Sequence, residues 1–184
     1  MRIIAGIYRG RRLLVPRGLA TRPTSDRARE TLFALLGDLD GMQFLDLFAG
    51  SGAVGIEALS RGAQRVCFVE SARAALTMLR ANLQAIGAGP TAEVVPRPLP
   101  AAVDRLAGPF DVVFLDPPYA EESLLTATLG RLFARGLVSP GGVVVGEHAA
   151  RHSPALPAAF IAASTRRVGD TAFTFAHRVD DAKH

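Results

Sequence analysis

Two short stretches of this 184-residue chain carry residue types that could do chemistry. The first is Asp46-Leu47-Phe48-Ala49-Gly50-Ser51-Gly52-Ala53-Val54-Gly55, set between an apolar run and a helical pattern. Glycines at such a junction let the backbone approach a ligand, and the helix start offers unpaired N–H groups. There is no Gly-Lys-Ser/Thr, so this is not a P-loop. Gly50, Gly52 and Gly55 fit the dinucleotide pattern. Glu70, 18 residues beyond Gly52, stands where a ribose-binding acid belongs. On those residues alone an NAD-dependent oxidoreductase is one reading. Asp46 points elsewhere, because a carboxylate facing the loop's ligand repels a pyrophosphate and attracts a cation. S-adenosylmethionine has a sulfonium and an amino group and no phosphate. Asp46, the loop Phe48-Ala49-Gly50-Ser51-Gly52 and Glu70 suit it better.

The second stretch is Asp116-Pro117-Pro118-Tyr119, directly after the apolar run Val112–Leu115. Loops after a strand's carboxyl end are where open α/β sheets place chemistry. Two prolines remove two N–H donors and stiffen the backbone, leaving carbonyl acceptors. A carboxylate, fixed carbonyls and an aromatic face match an exocyclic amino group on a flat base. Asp116 and the Pro117 carbonyl would accept its two hydrogens, and Tyr119 would stack on the ring. An aryl amine is a poor nucleophile because its lone pair is delocalised. Two acceptors pull it toward tetrahedral geometry and free that pair for in-line attack on a sulfonium methyl. The gain is orientation and electrostatics, with no metal or covalent intermediate required.

Alternating strands and helices must position these stretches. Strands are expected at Phe44–Leu47, Arg65–Val69, Ala92–Val95, Val112–Leu115 and Val143–Val145, with helices near 53–61, 71–86, 99–106 and 121–135. That rhythm predicts a parallel sheet with helices on both faces and right-handed crossovers. After Pro157 it changes: Phe160–Ser164 and Thr171–Ala176 read as an antiparallel edge pair turning at Gly169-Asp170. Upstream, a helix is capped by Ser25 or Asp26, with Ala28, Thr31, Leu32, Leu35 and Leu36 at helical spacing. Residues 1–24 form an arm whose hairpin is signalled by Gly10, and residues 25–184 form the main domain.

Charge singles out the arm. The chain has 21 basic and 17 acidic residues, net +4. Residues 1–30 hold eight arginines against two acids, net +6, while the remainder holds 13 basic against 15 acidic residues, net −2. Such clustering suits a polyanion, which arginine grips through paired hydrogen bonds. An arginine-rich composition explains arginine over lysine but not the clustering. Arg9, Arg11, Arg12, Arg22, Arg27 and Arg29 are the candidate nucleic-acid contacts. The longest stretch free of acids, bases and histidine, Ser153–Thr165, is too short to span a membrane and holds two prolines. The N-terminus lacks a signal pattern, so a cytoplasmic location is expected. The single cysteine, Cys67, excludes an internal disulfide and reads as core.

These residues carry a family resemblance. The two stretches together resemble the amino-group methyltransferases of nucleic acid. Arg2-Ile3-Ile4-Ala5-Gly6, Arg9-Gly10-Arg11 and Arg22-Pro23-Thr24-Ser25-Asp26-Arg27-Ala28-Arg29-Glu30-Thr31-Leu32-Phe33 resemble the RsmD family, as does Gly55-Ile56-Glu57-Ala58-Leu59-Ser60-Arg61-Gly62. The likeness covers nearly the whole chain, and the arm is its more specific part. It implies a Rossmann-like methyltransferase fold, with a mostly parallel seven-stranded sheet and an N-terminal β-hairpin arm. It implies methyl transfer from S-adenosylmethionine to N2 of one guanine, 966 in rRNA numbering, of 16S rRNA in the small ribosomal subunit or an assembly intermediate. A monomer is expected. Asp116, Pro117, Pro118 and Tyr119 would be catalytic. At the third strand's end, Val94-Val95-Pro96-Arg97-Pro98-Leu99 lacks the acidic or amide side chain such enzymes often place near the adenine, so backbone and apolar contacts would hold it.

Three other readings stay open: an adenine-N6 methyltransferase on DNA or RNA, the oxidoreductase, and a non-catalytic RNA-binding module. His148 and His152, four apart, do not make a metal site, since Pro154 disfavours a helix there. Glu121 and Glu122 read as a helix start. Arg166 and Arg167 read as a solvated turn.

Overall fold

A computed structural model describes residues 1–15, 25–117, 122–152 and 156–178. Its helices are α1 (Asp26–Leu36), α2 (Ala53–Ser60), α3 (Arg73–Ile86) and α4 (Glu122–Ala134). Its strands are β1 (Gln43–Leu47), β2 (Arg65–Val69), β3 (Ala92–Val95), β4 (Phe110–Leu115), β5 (Val138–Ala149), β6 (Phe160–Val168) and β7 (Thr171–Arg178). They form one sheet in the order β3-β2-β1-β4-β5-β7-β6. β1 to β5 are parallel, and β7 runs antiparallel between β5 and β6. This is the mixed, mostly parallel sheet of a Rossmann-like methyltransferase fold.

The period of two along each strand sorts the core into two layers. Phe44, Val66, Phe68, Val112 and Phe114 face the arm, α1, α2 and α3. Leu45, Leu47, Cys67, Val69, Val113 and Leu115 face α4 and a short 3₁₀ turn at Ala101–Arg105. Both faces are covered, so the central strands are mostly apolar, and buried Asp46 in β1 stands out as an exception.

Some sequence expectations need correction. The helix expected near 99–106 is only that 3₁₀ turn. Pro98, Pro100 and Pro109 leave no room for an α-helical ladder. β5 is far longer than Val143–Val145. Pro140 and Gly141 read as breakers, but the sheet absorbs them where the pairing jumps from Phe110↔Val138 to Val112↔Val143. Its far end, Gly146–Ala149, is held by β7, a non-local partner. β6 likewise runs on to Val168, which puts Arg166 and Arg167 in a strand opposite Phe173 and Ala172. In α1 the buried stripe is Ala28, Arg29, Leu32 and Phe33, and Leu35 is exposed. Ser25 does cap α1, its hydroxyl accepting from the Ala28 N–H at 3.2 Å.

The arm's hairpin closes where Met1–Ile3 lies antiparallel to Arg11–Leu13. The Ile3 N–H donates to the Arg11 carbonyl and the Leu13 N–H to that of Met1, each at 3.0 Å. Ile3 and Leu13 are buried among the side chains of α1 and α2. No described helix is long and apolar enough to cross a membrane.

Candidate active site

Sheet register lines up the chemistry. Val69, Leu47, Leu115 and Gly146 lie side by side on β2, β1, β4 and β5. The next residue on each strand is therefore Glu70, Phe48, Asp116 and Glu147. The strand order reverses between β1 and β4, the switch point at which open α/β sheets bind ligands. Both chemical stretches leave the sheet at that point.

The glycine loop is held by carboxylates. Asp46, buried at the end of β1, accepts the Gly55 N–H at 2.9 Å. It thus caps α2 from the strand, a place that a pyrophosphate would take in a dinucleotide site. Glu70 accepts the Gly50 N–H at 2.8 Å and those of Ser71 and Ala72 at 2.7 Å. Gly55 is required by packing: a Cβ there would lie 2.3 Å from the Phe68 ring. Phe48 turns the chain at φ 63°, a left-handed backbone that a bulky residue adopts only where its surroundings impose it. Ala49 and Ser51 are buried within the loop, Gly52 precedes α2, and a Cβ on Gly50 would face open space.

The electrostatics favour a positively charged ligand. Burial pushes the Asp46 carboxyl up to about 7, with the Gly55 N–H opposing and the Glu70 charge reinforcing. Asp116 is held well above the ordinary carboxylate range by burial, by Glu147 and by Asp46. Carboxylates that raise one another's protonation fit a ligand bearing a sulfonium and an ammonium. S-adenosylmethionine therefore fits the residues present. Burial also pushes the Cys67 thiol up to about 12, leaving no thiolate for chemistry.

Asp116 and Pro117 stand at the tip of β4, while Pro118 and Tyr119 lie outside the described residues. Glu147 is not legible in the sequence, because the local strand signal ends at Val145. Only pairing with β7 carries the strand as far as Glu147. His148 lies on the same strand, its Nε2 2.8 Å from the Thr174 hydroxyl.

The arm's candidates separate. Arg9, Arg11, Arg12 and Arg27 are exposed. Arg11 lies over the Tyr8 ring at 5.2 Å. Arg2 and Arg12 line a cleft of about 430 Å³ with Met1 and Asp26. Arg22 lies outside the described residues. Arg29 is not on this surface: it is 0% exposed and donates to the Arg2 carbonyl at 2.7 Å and to Asp26 at 2.8 Å. Its place on the buried stripe of α1 makes it a structural strut. Two further polar residues seat the arm. Buried Glu57 accepts the Ile4 and Ala5 N–H groups at 2.8 and 3.0 Å, and the Ser60 hydroxyl accepts that of Tyr8 at 3.0 Å. A lone charged residue in the mostly apolar helix 53–60 was the available signal for Glu57.

A family model described as Conserved hypothetical protein 95 matches residues 1–177. Over 180 residues the chain is 37% identical to the Ribosomal RNA small subunit methyltransferase D of Escherichia coli (strain K12), covering 97% of this chain and 90% of that one. The chain belongs to the RsmD family. Solved structures agree with this RsmD-family fold. That of yhhF from Escherichia coli superposes with a TM-score of 0.82 at 36% identity, covering 97% of each chain. A hypothetical protein of Thermus thermophilus gives 0.77 at 38% identity, covering 95% of this chain and 98% of that one. In this RsmD-family chain the Asp46 loop and Asp116-Pro117 leave adjacent strands at the carboxyl end of the sheet.

Proposed function

We propose that this RsmD-family rRNA methyltransferase moves the methyl of S-adenosylmethionine to the exocyclic N2 of a guanine, position 966, in 16S rRNA. The observation that carries the reading is the register that sets Asp116 beside the glycine loop on adjacent strands. Family membership supports the rRNA substrate, and the exposed arginines of the arm supply a surface for its phosphates.

When bound, S-adenosylmethionine supplies an electrophilic methyl on a sulfonium. Asp46, Phe48, Ala49, Gly50, Ser51, Gly52 and Glu70 would hold it. Asp116 and the Pro117 carbonyl would each accept one N2 hydrogen and turn the nitrogen lone pair toward the methyl. Pro118 would stiffen the turn and Tyr119 would stack on the guanine. Asp116 would take the N2 proton released as the nitrogen accepts the methyl. The guanine must be extruded or already unpaired to reach this edge. The small ribosomal subunit or an assembly intermediate is the partner, the location is cytoplasmic and the working form a monomer.

The test is incubation with labelled S-adenosylmethionine and unmodified small subunits, followed by mapping and mass analysis of the modified nucleoside. N2-methylguanine at one site is the expected product. N6-methyladenine would transfer the chain to the rival methyltransferase class, and no incorporation into any RNA would leave a binding module.

The arm gives a separate expectation. Neutralising Arg9, Arg11 and Arg12 should weaken RNA binding and flatten its dependence on salt, by roughly 0.7–0.9 in log–log slope for each phosphate that is no longer neutralised. Filter binding across a salt series measures it. An unaltered slope would move the RNA-binding surface elsewhere.

A further inference from the structure

The arm and the glycine loop are joined by one buried side chain. Asn82 lies inside α3 and is 2% exposed. Asparagine is a poor choice for a helix interior, since its amide competes with the backbone. Here the amide is fully engaged with two other segments. Its oxygen accepts the Leu14 N–H at 2.8 Å, and its nitrogen donates to the Leu14 carbonyl at 2.9 Å. The same nitrogen donates to the Ser51 carbonyl at 2.9 Å. Leu14 continues the arm's second strand, and Ser51 is the centre of the glycine loop.

Arg29 makes a parallel tie. It holds the Arg2 carbonyl of the arm's first strand, and its other terminal nitrogen reaches the Ala53 carbonyl at 3.4 Å. Ser51 and Ala53 flank Gly52. Each strand of the hairpin is therefore fastened to one side of the loop's central glycine. Gly6 leaves no slack at the far end of α2: a Cβ there would sit 1.6 Å from the Ser60 carbonyl oxygen. The arm cannot shift on the domain without pulling on the loop.

We propose that Asn82 is a positioning residue that couples the two ligands of the reaction. RNA held on the arm stiffens the donor loop through Asn82, and the donor held on the loop stiffens the arm. Each ligand then raises the affinity of the other by the same factor, as linkage requires. This rests on the proposed function, which supplies both ligands. The consequence is selectivity in time: the donor is held most tightly when an RNA is in place.

The experiment measures S-adenosylhomocysteine, the demethylated donor, by calorimetry on the full chain, with and without a small-subunit rRNA hairpin transcript. The reverse titration measures the transcript with and without S-adenosylhomocysteine. Wild type should show a matching gain of roughly fivefold or more in both directions. Asn82→Leu, which keeps the branched shape, and Asn82→Asp, which keeps the acceptor but loses both donors, should cut the factor, leaving only what the Arg29 tie carries. A measurement on wild type stands apart from any folding defect. S-adenosylhomocysteine alone should slow amide hydrogen exchange at Leu14. Coupling undiminished in the variants, or Leu14 exchange indifferent to the donor analogue, overturns the role of Asn82. Tight binding of both ligands to wild type with no coupling overturns it too and leaves the proposed function standing. Failure of wild type to bind S-adenosylhomocysteine removes both, whereas failure to bind the transcript overturns the coupling and leaves the small subunit as the proposed substrate.

Discussion

Asp116→Ala should lower single-turnover methyl transfer by roughly 10³-fold, about 4 kcal/mol, with S-adenosylmethionine still bound. The reason lies in the position of the group. Asp116 stands at the tip of β4, one residue past the Leu47↔Leu115 pair, and so beside the donor loop. It is the only carboxylate of the tetrad, and in the proposed mechanism the acceptor that makes N2 nucleophilic. Alanine removes that acceptor while leaving Asp46 and Glu70 in place. Asp116→Asn keeps an acceptor oxygen and should recover part of the loss. The pH dependence separates the two roles. Burial, Glu147 and Asp46 hold Asp116 well above the ordinary carboxylate range. The ionised form is the better acceptor, so transfer should rise with pH across that raised range in wild type and lose that rise in Asp116→Asn. Unchanged single-turnover rates in the alanine variant would take Asp116 out of the mechanism.

Asp46→Asn should make the free protein more stable and the donor weaker. In the fold the Asp46 carboxyl sits near 7, against an ordinary value of 3.8. Between those values the folded chain keeps a proton that the unfolded chain has released. Stability is therefore complete below about 4, falls as pH rises through the interval, and levels off above about 7. The full difference amounts to at most ~4 kcal/mol at pH 8. Asparagine removes that cost and still presents an oxygen to the Gly55 N–H. Urea unfolding at several pH values should show wild type losing stability over this window and the variant losing less. Identical slopes would place the burial cost elsewhere. Donor affinity should fall roughly 100-fold, because the carboxylate that attracts a cation is gone. A variant that binds S-adenosylmethionine as tightly as wild type would remove Asp46 from the site.

Both predictions rest on residues that the sequence brought out. Asp46, Gly50 to Gly52, Glu70 and Asp116 stood out because strand, turn and helix signals are local, and each residue sits where one pattern gives way to the next. The same locality made Ser25 legible as a cap and Arg65–Val69 as a strand. Glu147 did not stand out. Pro140 and Gly141 break β5 on any local reading, and only the ladder with β7 carries it on to Glu147. Arg29 misled for a related reason. Its type and its charged neighbours spoke for the surface, and the stripe Ala28, Arg29, Leu32, Phe33 that buries it is defined by what α1 packs against.

The sequence by itself determined the fold class, the two chemical stretches and the basic arm, since hydrophobic period, turn residues and net charge are properties of neighbours along the chain. Tertiary structure alone decided which carboxylates face one another, which arginines reach solvent and how Asn82 joins the arm to the loop. Burial and hydrogen-bond partners are set by residues tens of positions away, and no local pattern encodes them.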